Sequence, residues 1–269
     1  MHNEYIPFIS EIKEVIKHTN IEFTFRMTYA GKEVKPGQFF EVSIPKFGEA
    51  PISVSGIREG FLDFTIRKVG KVTDEIFEHY VGDKLFLRGP YGNGFEVKDY
   101  QASELVIIAG GTGLSPVRGV IEYFSEHPEE VESMTLIAGF KTPKDILFTQ
   151  DFNRWKKTME VILTVDHMEE ERAKKEGACR TGLVTEFIPQ LKLKDSKKAK
   201  AIVVGPPMMM HFTTLGLLKE GFQEENIWIS QERKMCCGIG KCGHCKIDDT
   251  YVCLSGPVFN YTKGRNLID

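Results

Sequence analysis

Five of the six cysteines lie between Cys236 and Cys253, and their spacing constrains this chain more than any other feature. Within Met235-Cys-Cys-Gly-Ile-Gly-Lys-Cys-Gly-His-Cys245, followed by Cys253, the residues Cys237, Cys242, Cys245 and Cys253 read C-x4-C-x2-C, then a gap and a fourth cysteine. The first part is the ligand spacing of plant-type [2Fe–2S] centres, in which four thiolates hold the cluster. Gly238 and Gly240 let the backbone bend around inorganic sulfide and aim N–H groups at it. A structural zinc site competes, because C-x2-C pairs are common zinc ligands. Zinc sites usually offer two compact knuckles, whereas here one loop carries three cysteines and the fourth arrives alone. Cys236 directly precedes Cys237; register favours Cys237, and a swap between the two stays open. His244 lacks the paired histidine of a Rieske centre and reads as a surface residue. Cys179 stands alone as a structural thiol.

An electron-transfer centre needs a source and a sink for electrons, and the upstream sequence offers surfaces for both. From Ile6 to about Val97, short apolar alternations are broken by Gly and Pro: Ile21–Met27, Gln38–Ile44, Phe61–Arg67 and Lys84–Arg88. Period-two segments at this spacing argue for a small antiparallel barrel or sandwich. A short helix is expected over Thr73–His79, with Thr73 as a cap and Asp74 and Glu75 suited to its N-terminus. Three stretches here carry possible chemistry. Ala50-Pro-Ile-Ser-Val-Ser55 is a strand with hydroxyls on alternate residues. Arg67-Lys-Val-Gly-Lys-Val-Thr73 puts a glycine and a hydroxyl at a helix start, which suits an anion. Gly89-Pro-Tyr-Gly-Asn-Gly-Phe95 is a glycine-rich loop after a strand. Each has a bland reading as an ordinary strand or turn.

From about Tyr100 the rhythm becomes strand–helix alternation. Leu105–Ala109 is wholly apolar, as a parallel strand covered on both faces requires. It runs into Gly110-Gly-Thr-Gly-Leu-Ser-Pro116, where three glycines between strand and helix let the backbone approach a phosphate. Further strands are expected at Thr135–Gly139, Val161–Val165, Ala201–Val204 and Ile227–Ile229, giving a five-stranded parallel sheet. Helices are expected from Val117 onward and near Pro143–Trp155, Gly182–Gln190 and Met208–Glu220. The fourth strand ends in Gly205-Pro-Pro-Met-Met-Met210, a second loop at a carboxyl end, where such sheets bind ligands. At least two of those methionines read as core. Asp166 ends the third strand and Glu169, Glu170 and Glu171 follow, with no Ser-Arg pair to take a 2′-phosphate, so NADH is favoured over NADPH.

The formal net charge of −3 and the lack of a basic block give no support for nucleic-acid binding. No stretch approaches the roughly 20 apolar residues of a membrane span, and the first residues do not read as a secretory signal. Thiols gathered in one metal-type loop suit a reducing compartment, so a cytoplasmic protein is expected. No Ser–His–Asp or paired-carboxylate constellation calls for acid–base catalysis.

The order P-I-S-V-S, G-K-V-T, G-P-Y-G-N-G-F, A-G-G-T-G-L-S-P and V-G-P-P-M resembles the ferredoxin–NADP reductase superfamily. The tail C-G-I-G-K-C-G-H-C narrows the resemblance to reductases with a C-terminal [2Fe–2S] domain. Gly48–Ser55, Val69–Thr73, Gly240–Cys245 and Gly256–Tyr261 resemble the electron-transfer (B) subunits of anaerobic sulfite reductases. The electron-transfer subunits of dihydroorotate dehydrogenases are the alternative. The resemblance implies an FAD-binding barrel over residues 1–98, an NAD(P)-binding sheet domain over 99–229 and a [2Fe–2S] domain over 230–269. It implies that Pro51, Ile52, Ser53 and Val54 line FAD, and that Gly70, Val72 and Thr73 meet its pyrophosphate. Gly111, Thr112 and Gly113 would face the nicotinamide nucleotide, with Gly205, Pro206 and Met208 opposite. Superfamily members usually carry Arg at the position of Ala50, so Arg67 or Lys71 would supply the missing charge. Electrons would pass from NAD(P)H through FAD to the cluster, then to an iron–sulfur subunit and a sirohaem subunit that reduces sulfite. A reading from another class is a zinc-stapled nucleotide sensor.

Overall fold

The computed structural model describes residues 5–168 and 179–267; Glu169, Glu170 and Glu171 lie outside them. The period-two segments of the first third close into a six-stranded antiparallel barrel. Its strands are β1 (Phe8–Lys17), β2 (Glu22–Thr28), β3 (Phe39–Ile44), β4 (Gly48–Arg58), β5 (Phe61–Arg67) and β6 (Lys84–Tyr91), in the order β1-β2-β5-β4-β3-β6. Alternation decides which side chains fill it: Ile12, Phe25, Met27, Phe40, Val42, Leu62, Phe64, Ile66, Leu85 and Leu87 are buried in one core. Phe40 and Phe64 meet edge to face at 5.6 Å between ring centres, a favoured aromatic geometry. The expected helix is present but starts earlier, as α1 (Lys71–Ile76), with Gly70 at its N-cap. Thr73 therefore sits inside the first turn, where its hydroxyl caps the helix by accepting the Gly70 N–H.

A parallel sheet follows. Its strands are β7 (Glu104–Gly110), β8 (Ser133–Phe140), β9 (Glu160–Val165), β10 (Arg180–Thr181), β11 (Lys200–Val204) and β12 (Ile227–Ser230). The five expected strands appear in the order β9-β8-β7-β11-β12, flanked by β10 and, beyond β12, by β15 (Val258–Asn260), which makes seven in all. The two extra strands are two and three residues long, too short for periodicity to reveal. Every residue of β7 is buried, as central parallel strands require. Helix α2 (Leu114–Glu126) continues from the glycine loop. The helix expected over Pro143–Trp155 is broken: a 3₁₀ turn at Pro143–Asp145 precedes α3 (Thr149–Trp155). Pro143 suits a first turn, and Phe148 takes a left-handed conformation that divides the two. A 3₁₀ helix at Val184–Gln190 and an α-helix at Pro207–Lys219 complete the expected set.

The chain forms two compact units, Met1–Phe95 with Gln231–Val258, and Glu96–Ser230 with Phe259–Asp269. Its cysteine-bearing part, with the small hairpin β13 (Lys246–Ile247) and β14 (Thr250–Tyr251), belongs with the barrel. Its last residues belong with the parallel sheet. Replacing Phe64 by Ala should empty the centre of the barrel and cost about 3–5 kcal/mol; denaturant unfolding of the variant measures it.

Candidate cofactor and iron–sulfur sites

The first surface is the outer wall of the barrel. On β4, Val54 belongs to the barrel core and Ile52 packs against it. Alternation therefore turns Pro51 and Ser53 outward, both half-buried. Of the four residues expected to line FAD, Pro51 and Ser53 thus face outward, and Ile52 and Val54 face the barrel interior. Ser55 is fully buried, donates to Asp63 O at 3.1 Å and accepts from Thr65 Oγ1 at 2.8 Å; it is structural. At α1, Thr73 Oγ1 accepts the N–H groups of Val69 and Gly70 at 3.0 and 3.1 Å, and fixes the turn where an anion was expected. Val72 packs against the barrel core. Arg67 pairs with Glu22 at 3.3 Å while staying about half exposed, and Lys71 Nζ lies 5.9 Å from the Phe47 ring centre.

The cysteine loop is laid on the same unit. Cys237, Cys245 and Cys253 are buried and Cys242 is exposed. Among the described residues, no three His, Cys, Asp or Glu side chains form a group suited to one metal ion. Backbone N–H groups instead tie the four cysteines in two pairs, Cys242 to the Cys237 sulfur and Cys253 to the Cys245 sulfur. Four cysteines on one segment fit the donor set of a two-iron centre held by four thiolates. Backbone N–H groups already point at the sulfurs: Gly240 at Cys253 Sγ (3.2 Å), Lys241 and Cys242 at Cys237 Sγ (3.3 and 3.5 Å), and Cys253 at Cys245 Sγ (3.5 Å). The His244 N–H lowers the Cys242 thiol pKa, whereas burial pushes Cys253 up to about 12. A thiol so buried is held as thiolate only with a cation against it. His244 is exposed, as expected of a surface residue.

The residues that seat this loop come from β6 and the turn after it, and no sequence motif marked Arg88 for the task. Arg88 is buried, and its five N–H groups are all engaged. Nε and one Nη reach the two Glu49 oxygens at 3.0 and 2.6 Å. The remaining donors go to Tyr91 Oη (3.1 Å), Cys237 O (2.6 Å) and Cys236 O. Burial works against its charge, yet the bonds to Glu49 and Tyr91 hold its pKa above the ordinary value. Gly238 adopts φ +74°, and a Cβ there would lie 2.6 Å from the Tyr91 ring, so only glycine lets the loop close on that face. Asn93, in the Gly-Asn-Gly turn, holds the other end. Its Nδ2 donates to Ser255 O (3.1 Å) and Val258 O (2.8 Å), and its backbone N–H donates to Gly256 O (2.8 Å). The glycine-rich turn after β6 thus grips the segment carrying the fourth cysteine.

Glu41 stands opposite Arg88 on β3. It is fully buried, and neither carboxyl oxygen has a hydrogen-bond partner. Burial pushes its pKa to about 8, with Arg88 pulling the other way and Glu49 reinforcing the rise. The folded state then retains a proton that the unfolded chain, near 4.5, has released. Stability from this group is present below the unfolded value and is lost as pH climbs towards 8. Glu41→Gln should therefore melt progressively higher than the parent from about pH 5 to about pH 8.5, which paired thermal melts across that range will show.

The second surface is the carboxyl edge of the parallel sheet. The strand order reverses between β7 and β11, and sheets of this kind bind ligands in the crevice at that switch point. Both glycine loops sit there. Gly111–Gly113 forms a 3₁₀ turn ahead of α2; Gly111 and Thr112 are half-buried and Gly113 is buried. A Cβ on Gly113 would lie 2.6 Å from Val204 O, which is the close approach that demands glycine. Gly205 is buried, while Pro206 and Met208 are exposed. Of the methionines, Met210 is core and Met209 wedges its sulfur against Gly110 and Gly205. Met209 and Met210 are thus the two that pack inward, as the run of methionines leads one to expect. Asp166 follows directly after β9 and is half-buried. Gly113→Ala should cost about 1–3 kcal/mol by overpacking and weaken pyridine-nucleotide affinity, as thermal melts and nucleotide titration will report.

A switch-point nucleotide loop, a six-stranded barrel and a cysteine loop together define a pyridine-nucleotide oxidoreductase with the fold of ferredoxin–NADP reductases and an iron–sulfur domain. Residues 107–214 match the oxidoreductase NAD-binding domain, and residues 232–263 match the iron–sulfur cluster binding domain of dihydroorotate dehydrogenase B. Sulfhydrogenase 1 subunit gamma of Pyrococcus furiosus is 34% identical, with 96% of this chain and 92% of that one aligned. The probable dihydroorotate dehydrogenase B (NAD(+)) electron transfer subunit of the same organism is 32% identical over 97% and 91% of the two chains. The NADH-dependent reduced ferredoxin–NADP oxidoreductase superposes with TM-score 0.78 at 24% identity, over 94% of this chain and 88% of that one. The chain belongs to the family of electron-transfer subunits that includes these sulfhydrogenase and dihydroorotate dehydrogenase components. Among its described residues, no helix is long and apolar enough to cross a membrane.

Proposed function

We propose that this chain carries electrons from NADH to a partner subunit, through FAD held on the barrel wall and a [2Fe–2S] cluster held by Cys237, Cys242, Cys245 and Cys253. The observation that carries the reading is one short segment bearing four cysteines at this spacing, with backbone N–H groups aimed at the sulfurs of Cys237, Cys245 and Cys253. Bound flavin exchanges electrons in pairs or singly, and so joins a two-electron donor to a one-electron centre. Pro51 and Ser53 offer the outward face of β4, and Gly70, Val72 and Thr73 shape the turn for the FAD pyrophosphate. Arg67 or Lys71 supplies the positive charge that Ala50 lacks. Gly111, Thr112 and Gly113, with Gly205, Pro206 and Met208, form the seat of the nicotinamide nucleotide. Asp166 would accept from a ribose hydroxyl and repel a 2′-phosphate, which favours NADH over NADPH.

The partner we propose is a sirohaem subunit that reduces sulfite, served with an iron–sulfur subunit of the same complex. The runs Gly48–Ser55, Val69–Thr73, Gly240–Cys245 and Gly256–Tyr261 support it. A second reading, exchange with a dihydroorotate-oxidising subunit, is supported by the match of residues 232–263 and by the 32% identical relative. Purified protein should show flavin and iron–sulfur absorption that bleaches with NADH, and Cys237→Ser should remove the iron–sulfur part while Cys236→Ser keeps it. A colourless, zinc-bearing protein would sink the proposal. Co-purification with a sirohaem protein supports the first partner, and a flavin-bearing dihydroorotate oxidase in its place supports the second.

A further inference from the structure

Two adjacent cysteines, one of them a ligand, pose a problem of register that the cysteine loop does not solve alone. The loop is loosened by Gly238, Gly240 and Gly243, and a slip of one residue would present Cys236 where Cys237 stands. The structure meets this with a contact from the barrel. Consecutive carbonyls, Cys236 O and Cys237 O, are both bound by the guanidinium of Arg88. In an extended chain successive carbonyls point to opposite sides, so binding both to one group fixes the bend of the dipeptide. With that bend, the sulfur of Cys237 accepts the N–H groups of Lys241 and Cys242. The guanidinium is itself immobilised by the Glu49 carboxylate and Tyr91 Oη, with its centre 5.4 Å from the Tyr91 ring centre. Its five donors meet five acceptors, and Glu41, directly across the strand pair, is left without a hydrogen bond. Lysine offers three donors from one point and cannot reproduce this fork.

We propose that Arg88 is a positioning residue for the iron–sulfur centre, selecting Cys237 over Cys236 as first ligand by locking both carbonyls of that dipeptide. The proposal rests on the reading that the cysteine loop holds a [2Fe–2S] cluster. Releasing the lock frees the loop to close in either register, so Arg88→Met yields a mixture of Cys236- and Cys237-ligated centres. Arg88→Lys keeps a charge beside Glu49 but too few donors, and yields a mixture as well.

The test uses the full chain reduced with dithionite, read by electron paramagnetic resonance together with iron analysis. Parent protein and Cys236→Ser should each give one and the same signal. Arg88→Met and Arg88→Lys should each give two overlapping signals, and adding Cys236→Ser to either should return the single parental signal. Where Arg88→Met fails to fold, Arg88→Lys decides. One parental signal with full iron in Arg88→Lys overturns the proposal. So does a loss of iron from the Arg88 variants that Cys236→Ser leaves unrestored, because that outcome marks a general structural role. Absence of any iron–sulfur signal from the parent protein overturns the proposed function instead.

Discussion

A short segment rich in glycine and cysteine cannot bury enough apolar surface to hold itself together, and this constraint governs the barrel unit. Residues 231–258 contribute few core side chains beyond Met235, Val252 and the cysteines themselves. Their order is borrowed from the barrel, through polar contacts to main-chain carbonyls at both ends. Arg88 takes the end that carries Cys237, and Asn93 takes the end that carries Cys253. A buried guanidinium is costly unless every donor is met; here Glu49, Tyr91 and two carbonyls meet all of them, so the charge is tolerated and the geometry is stiff.

The same demand accounts for the oddest group in the unit. Glu41 lies on a strand whose neighbours Phe40 and Val42 face the core, so its side chain is on the outer wall and yet fully covered. With Arg88 committed elsewhere, the carboxyl is left to relieve its burial by keeping its proton. A neutral acid beside a saturated cation is a consistent arrangement, because a carboxylate there would draw the guanidinium away from the loop it holds.

Much of this was readable from the residues. Period two located β2, β3, β5 and β6, the apolar run located β7, and glycine-rich loops after buried strands located the switch point, because each of these signals is local. The spacing of the cysteines was legible for the same reason. What escaped were positions defined by contacts across the chain. Arg88 looked like the polar end of a strand, and Asn93 like a turn residue, since their partners lie well over a hundred residues away. The orientation of β4 was legible only once the barrel existed: a strand of half-buried residues does not announce which side is wet. Met208, Met209 and Met210 are identical in sequence and differ wholly in environment, which only the fold can assign.

The hold on the cysteine loop is blind to side chains, because it is exercised on carbonyl oxygens. Residues such as Ile239, Lys241 and His244 are therefore free to drift without loosening the grip, and the loop surface can be remodelled for a new recipient. The burden of fidelity falls instead on an arginine 149 positions upstream, inside a strand that carries no cysteine. Heritable damage to the centre is thus as easily written in the barrel as in the loop that names it.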